Sequence, residues 1–276
     1  MSGTLYLVPT PIGNLGDISR RIADTLEQAD FIAAEDTRVT LKLLNHLGIK
    51  KPMVSYYRHN TAAGGEAVLR RLLSGESCAL VTDAGTPAIS DPGEELVAEC
   101  VARSIPVVSI PGPCALITAL AASGLPTDRF TFEGFLPMNK KNRRERLSEL
   151  RGEGRTMLFY EAPHKLCATL ADLSETFGSD RRIAVCRELT KLHEEILRTT
   201  LDQAAAHYAQ NPPKGEFVLV VEGCQAEKTE SVTLEDGVRR VLALREEGLS
   251  LKDATRQAAA ETGLPKNELY QLVLKG

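Results

Sequence analysis

Several things are missing from this 276-residue sequence, and each omission narrows the reading. No apolar run approaches the ~18 residues that a membrane-spanning helix needs. The first residues lead directly into a strand pattern with no charged region and cleavage site, so no signal peptide is expected. There are six cysteines but no CxxC pair. Cys78 and Cys186 lie in apolar strand-like runs, where reduced, buried thiols are expected. This usage predicts a cytoplasmic protein without disulfides, a cysteine-based metal site or any bound metal. The formal net charge is −4, so the chain as a whole has no nucleic-acid signature. Any RNA or DNA contact must come from a local patch. Neither an internal repeat nor a low-complexity tract is visible.

What is present is the composition of a globular protein with a real core: 43% apolar and 25% charged residues. Two short loops stand out. They are Thr82-Asp-Ala-Gly-Thr-Pro-Ala-Ile-Ser-Asp-Pro-Gly93 and Ile110-Pro-Gly-Pro-Cys-Ala115. Each follows a short apolar run and leads into a helical pattern. That puts both at the carboxyl ends of strands in an open α/β sheet, where such sheets bind ligands. Their small residues and prolines leave backbone N–H and C=O groups free to grip a small molecule.

The organisation follows from periodicity. Strands are expected at 5–8, 31–34, 53–56, 78–81 and 107–110, with helices at 18–29, 40–47, 62–73, 93–102 and 114–122. Alternation at this spacing implies right-handed βαβ units and a mainly parallel sheet over residues 1–128. Gly48, Gly75 and Gly124 sit where helices should stop. The texture changes near 127–135, and the basic run Asn139-Lys-Lys-Asn-Arg-Arg-Glu-Arg146 follows. Strands at 156–160, 183–187, 195–199 and 217–222 and helices at 166–177 and 201–208 predict a second α/β domain, 129–225, with a mixed or antiparallel sheet. A polar segment, 225–231, precedes a helical module, 232–276. In that module Thr233-Leu-Glu-Asp236 and Ser250-Leu-Lys-Asp253 resemble capping signatures, and Pro265 suits a first helical turn. Three short helices result, the last two joined by a turn of helix-turn-helix length.

The loop Val8-Pro-Thr-Pro-Ile-Gly-Asn-Leu-Gly-Asp17 resembles the first motif of the tetrapyrrole methylase-like family of S-adenosylmethionine enzymes. Asp83-Ala-Gly-Thr-Pro-Ala88 and Pro111-Gly-Pro-Cys114 resemble its second and third motifs. Ala34-Glu-Asp-Thr-Arg38, Tyr56-Tyr-Arg-His-Asn60, Phe159-Tyr-Glu-Ala-Pro-His-Lys165, Cys186-Arg-Glu-Leu-Thr-Lys191 and Lys214-Gly-Glu-Phe217 are similar to the family's ribosomal branch, and the resemblance spans roughly the whole chain. It implies a two-domain tetrapyrrole methylase-like fold, S-adenosyl-L-methionine in the cleft between the domains, and a homodimer. It also implies methylation of a cytidine ribose 2′-hydroxyl in the decoding region of 16S ribosomal RNA or the small subunit. An ordinary dinucleotide fingerprint is disfavoured independently, because Pro11-Ile-Gly-Asn-Leu-Gly16 lacks the first glycine of G-x-G-x-x-G.

The resemblance assigns the donor site to Pro11, Asp83, Ala84, Gly85, Ala88, Ile89, Cys114, Ala115, Thr118, Tyr160 and Gly215. Each has a plainer alternative. Asp83 would cap a turn, and the Pro111-Gly-Pro113 bend would start a helix in any case. Glu35, Asp36 and Arg38 are expected near the incoming nucleotide as the catalytic group, against the alternative of a solvated helix start that favours acids. His59, Glu161, His164, Glu188 and Lys191 remain further candidates for the proton acceptor. RNA contact is expected at His59 and Asn60, at Lys140, Lys141, Arg143 and Arg144, and at Lys266. The alternatives are an exposed loop, a solvated helix face and a plain packing module. Residues 231–276 carry seven basic and seven acidic residues, so charge alone does not mark that module as RNA-binding. Two rival functions stay open: a tetrapyrrole or corrin C-methyltransferase of the same fold, and a nucleic-acid-binding regulator that senses a nucleotide.

Overall fold

The computed structural model describes residues 2–225 and 233–275. The chain begins with β1 (Leu5–Leu7), α1 (Arg20–Gln28), β2 (Phe31–Ala34), α2 (Thr37–Leu47), β3 (Met53–Ser55), α3 (Thr61–Leu73), β4 (Cys78–Val81), α4 (Glu94–Ala102), β5 (Val107–Ser109) and α5 (Ala115–Ser123). The strands form one sheet of order β3-β2-β4-β1-β5 in which every pairing is parallel. The helix limits have local causes. The Ser19 and Asp36 side chains accept from backbone N–H groups at the starts of α1 and α2, while Gly48 and Gly124 take the left-handed conformation that ends α2 and α5.

This strand order creates a switch point. From β1 and β2 the chain moves towards one edge of the sheet, and from β3 and β4 it moves back. Right-handed crossovers therefore place the helices on opposite faces. Ile22 and Leu26 of α1 and Leu44 of α2 share one apolar cluster with Ile32 and Ala79, whereas Val68 and Leu72 of α3 and Leu96 of α4 share another with Phe31 and Leu80. The chain thus leaves the neighbouring strands β1 and β4 towards opposite faces, at the place where open α/β sheets form their ligand crevice.

A second sheet follows, built from β6 (Phe130–Gly134), β7 (Thr156–Glu161), β8 (Arg182–Arg187), β9 (Glu195–Thr200) and β10 (Phe217–Val221), with α6 (Lys140–Leu150), α7 (Pro163–Phe177) and α8 (Leu201–Gln210) between them. Its order is β6-β7-β10-β8-β9; β6 pairs parallel with β7 and the remaining pairs are antiparallel. Periodicity does not single out β6 or α6. β6 is an edge strand with a register irregularity between Phe132 and Gly134, and α6 buries only Leu147 and Leu150 on an otherwise polar surface. α7 starts at Pro163, ahead of the expected 166, because proline pre-sets φ at a first helical position.

Both faces of this sheet are covered. Along β10, Phe217, Leu219 and Val221 join the cluster formed with α6, α7 and α8, while Val218 and Val220 join the cluster formed with Leu116, Ala119 and Leu120 of α5. Helix α5 thus leaves the first sheet and packs on the second. Both sheets accordingly fall in one compact unit, Met1–Cys224.

The remaining unit, Gln225–Gly276, contains α9 (Leu234–Glu246), α10 (Leu251–Thr262) and α11 (Lys266–Lys275) around Val241, Leu244, Ala254, Ala258 and Leu269. Thr233 and Asp236 form a reciprocal capping box, and the Ser250 hydroxyl accepts from the Asp253 N–H. Apart from Gln225, the expected polar linker lies outside the described residues.

Candidate active site

Three loops of the first sheet are stitched into one wall. Thr10 and Gly85 exchange backbone hydrogen bonds of 2.9 and 3.0 Å. The Thr10 hydroxyl donates to the Thr82 carbonyl at 3.0 Å, and the Thr86 hydroxyl donates to the Pro113 carbonyl at 3.0 Å. These bonds join the loop after β1, the loop after β4 and the loop after β5. Within the loop after β4, Ala88 (φ 67°) and Ser90 (φ 66°) hold left-handed conformations that non-glycine residues adopt at a cost. Ile89, Ser90 and Asp91 all line the cleft.

The opposite wall comes from the second sheet: Tyr160 and Glu161 at the end of β7, Cys186 and Leu189 at the end of β8 and beyond it, and Glu216 to Val218 at the start of β10. Between the walls lies a cleft of about 430 Å³, within the size range of small-molecule sites. Its lining mixes Ile12, Ile89, Leu189 and Val218 with three carboxylates of the first lobe, Glu35, Asp83 and Asp91.

These carboxylates are interconnected. The Thr82 hydroxyl donates to Glu35 Oε2 at 2.7 Å, and the Asp36 N–H donates to Asp83 Oδ1 at 3.1 Å. Partial enclosure raises the Asp83 pKa, and the nearby Glu35 charge raises it further. Asp91 is pushed up to about 6, first by burial; the Thr82 hydroxyl opposes this, and the charges of Glu35 and Asp83 add to it. Asp36 behaves oppositely. Hydrogen bonds from Arg38, including Nη2 to Oδ2 at 2.6 Å, hold it at about 2.

The far wall is braced from behind. Glu188 accepts from Lys191 Nζ at 2.8 Å and from the Glu216 N–H at 3.0 Å. Lys191 Nζ also contacts Glu216 Oε2 at 3.0 Å. This bracket reaches the first lobe at Gly13, where φ is +152° and a Cβ would collide with the Lys191 side chain. Only glycine fits there. Glu161 accepts from the Thr169 hydroxyl and from the Ala162 N–H, and Thr169 in turn accepts from Arg143 Nη2 at 2.8 Å.

Of the residues expected at the donor site, Asp83, Ala84, Gly85, Ile89, Cys114, Ala115 and Tyr160 line the cleft, and so does Glu35 from the expected catalytic group. Pro11 lies instead in an adjoining groove with Leu15, Val39 and Lys42, which shares Thr82 and Asp83 with the cleft. Thr118 is one turn into α5, and its hydroxyl donates back to the Cys114 carbonyl at 2.9 Å. Gly215 (φ 90°) turns the chain beside Glu216, and Ala88 packs against Gly93. Asp36 and Arg38 pair with each other at the start of α2.

The expected RNA contacts divide similarly. His59 is exposed, but the Asn60 amide is committed to its own loop, accepting from the Tyr57 N–H at 2.7 Å and donating to the Ser55 carbonyl at 3.0 Å. Lys140, Lys141 and Arg144 are exposed on α6. Arg143 turns inward, with 13% of its side chain exposed, and its Nε lies 2.5 Å from Asp172 Oδ2. Lys266 is exposed at the start of α11 in the helical unit. Sequence patterns give no role to Phe135; Ile12, Thr82, Asp91, Leu189 and Glu216 all lie inside motifs they single out. Among the described residues, no group of three or more His, Cys, Asp or Glu side chains could hold a metal, and no helix is long and apolar enough to cross a membrane.

The two-lobed arrangement is shared with methyltransferases of known structure. A cobalt precorrin-4 methyltransferase matches with a TM-score of 0.56 at 19% identity, covering 79% of this chain and 94% of that one. A uroporphyrin-III C-methyltransferase from Thermus thermophilus, complexed with S-adenyl homocysteine, matches with a TM-score of 0.54 at 17% identity, covering 80% and 97%. These likenesses define the fold. The family model for Tetrapyrrole (Corrin/Porphyrin) Methylases matches residues 4–205, and the chain belongs to that family. Residues 232–276 match the RsmI C-terminal HTH domain. Along the whole chain, it is 50% identical to the ribosomal RNA small subunit methyltransferase I of Synechocystis sp., over 99% of this chain and 98% of the relative. The protein of that name from Halalkalibacterium halodurans is 48% identical over 98% and 94%.

Proposed function

We propose that this protein is an S-adenosylmethionine-dependent methyltransferase that methylates the ribose 2′-hydroxyl of a cytidine in small-subunit ribosomal RNA. The observation that carries this reading is end-to-end similarity, close to half identity, to relatives named for that RNA, in a chain whose two lobes enclose a cleft of suitable size. The donor set fits the cofactor. Apolar Ile12, Leu189 and Val218 suit a purine, while Asp83 and the backbone of Ala84 and Gly85 suit ribose hydroxyls and an amino group. Glu35, Asp83 and Asp91 favour a cation electrostatically.

When bound, S-adenosylmethionine supplies a methyl group on a cationic sulfonium, already activated for displacement. The protein's part is to align the acceptor oxygen with that methyl, exclude water and receive a proton. Asp91 is suited to the last task, because a carboxyl with a pKa of about 6 is mostly ionised at neutral pH yet basic enough to take a proton. Glu35, tied to Thr82, is the second acid facing the cleft. The Asp36–Arg38 pair supports the start of α2 beside them. A homodimer fits the exposed Leu15, Val39 and Leu41, and a ribosomal substrate fits a cytoplasmic location.

The test is transfer of radiolabelled methyl. Label in small-subunit RNA or particles supports the reading. Label in a tetrapyrrole replaces it with the metabolic alternative, and no transfer with retained RNA binding replaces it with a regulator.

A further inference from the structure

The β6–α6 connection carries features that donor binding does not explain. Phe135 is 58% exposed although it lines the cleft, and Met138 is 83% exposed three residues later. Apolar side chains left facing water at the mouth of a cleft offer a contact surface to a ligand. Their presentation is fixed rather than loose. Leu136 is buried in the core of the second lobe, and the Asn139 side chain accepts from the Lys141 and Asn142 N–H groups to start α6. Phe135 also rests edge-on against Tyr160, with ring centroids 5.7 Å apart, and Tyr160 rests edge-on against Phe132 at 5.0 Å. A braced aromatic ring is therefore presented to solvent at the mouth.

Charge adds a second, independent observation. Lys140, Lys141 and Arg144 follow immediately and are exposed, Lys141 only loosely paired with Glu145 at 3.8 Å. Arg143 and Arg146, by contrast, are engaged by Asp172 and by Glu133 and Glu149. An aromatic ring beside solvent-facing cations is the combination that holds single-stranded RNA, with a base stacked on the ring and phosphates on the cations.

We propose that Phe135 is the stacking platform for an unpaired base of the acceptor RNA at the cleft mouth, with Lys140, Lys141 and Arg144 holding the adjoining phosphates. This rests on the reading of the protein as an RNA methyltransferase. It names a positioning residue for the acceptor, separate from the carboxylate-lined donor wall.

The test uses the full-length protein, unmodified small ribosomal subunits and labelled donor. Phe135→Ala should raise the KM for subunits on the order of tenfold, change the donor dissociation constant read by calorimetry far less than that, and be rescued by Phe135→Trp. The chain has no tryptophan, so Phe135→Trp also installs a unique fluorophore. Its emission should change on adding single-stranded, cytidine-rich RNA to protein already saturated with S-adenosylhomocysteine. An unchanged KM, or a loss of donor affinity in Phe135→Ala as large as the rise in KM, overturns the platform. So does an emission that RNA leaves unmoved. Wild-type protein that transfers no methyl to subunits defeats the underlying reading instead, so the two failures are distinguishable.

Discussion

At the scale of single residues, the cleft concentrates like charges that the fold must tolerate. Asp91 has a folded pKa raised to about 6 from the ordinary 3.8. A raised acid pKa means that the native state holds the proton over a window where the unfolded chain has released it. Stability therefore falls as pH rises from about 4 to about 6. Asp91→Asn should gain melting temperature relative to wild type at pH 8 and little at pH 4, by calorimetry. If Asp91 receives the proton, wild-type methyl transfer should rise with pH through about 6, and the substitution should remove that rise together with most of the rate. Asp83→Ala removes a carboxylate from the cleft wall and, on the proposed reading, should weaken donor binding by roughly 1–3 kcal/mol, measured by titration calorimetry; wild-type affinity would take Asp83 out of the donor site.

At the scale of elements, α6 shows how one charged run divides into structural and free members. Arg143 joins α6 to α7 through Asp172 and Thr169, and Thr169 supports Glu161 in the cleft wall. Arg143→Ala should destabilise the fold by about 1–2 kcal/mol and lower the melting temperature. Substituting Lys140, Lys141 and Arg144 together by alanine should leave the melting temperature nearly unchanged. Against RNA, it should flatten the salt dependence of log K by about two units. Strand runs read differently from helices here. The residues of β7, β8 and β10 are buried on both faces, so they appear as continuous apolar stretches. Their alternation becomes visible only when α5 is seen on one side and α7 and α8 on the other.

At the scale of the whole molecule, the chain forms two compact units with separate cores. Removing residues 225–276 should leave donor affinity unchanged, because the cleft is lined within the first unit. Methyl transfer to small subunits should fall if the helical unit docks RNA; full retention of activity would exclude that role.

The order of strands and helices in the first sheet, the glycine stops of α2 and α5, and the ligand loops at the carboxyl edge were legible in the sequence because they depend on local periodicity and on residues with restricted or unusual backbone freedom. The motifs that line the cleft were legible for the same reason, since Asp83, Gly85 and Cys114 lie in short contiguous loops. Tertiary structure alone decided which charges face the cleft. It turned Arg143 inward and left Arg144 exposed, brought Asp91 within reach of the Glu35 charge, and set Phe135 at the mouth against Tyr160. Those outcomes depend on contacts between residues far apart in the chain, and periodicity carries no information about them.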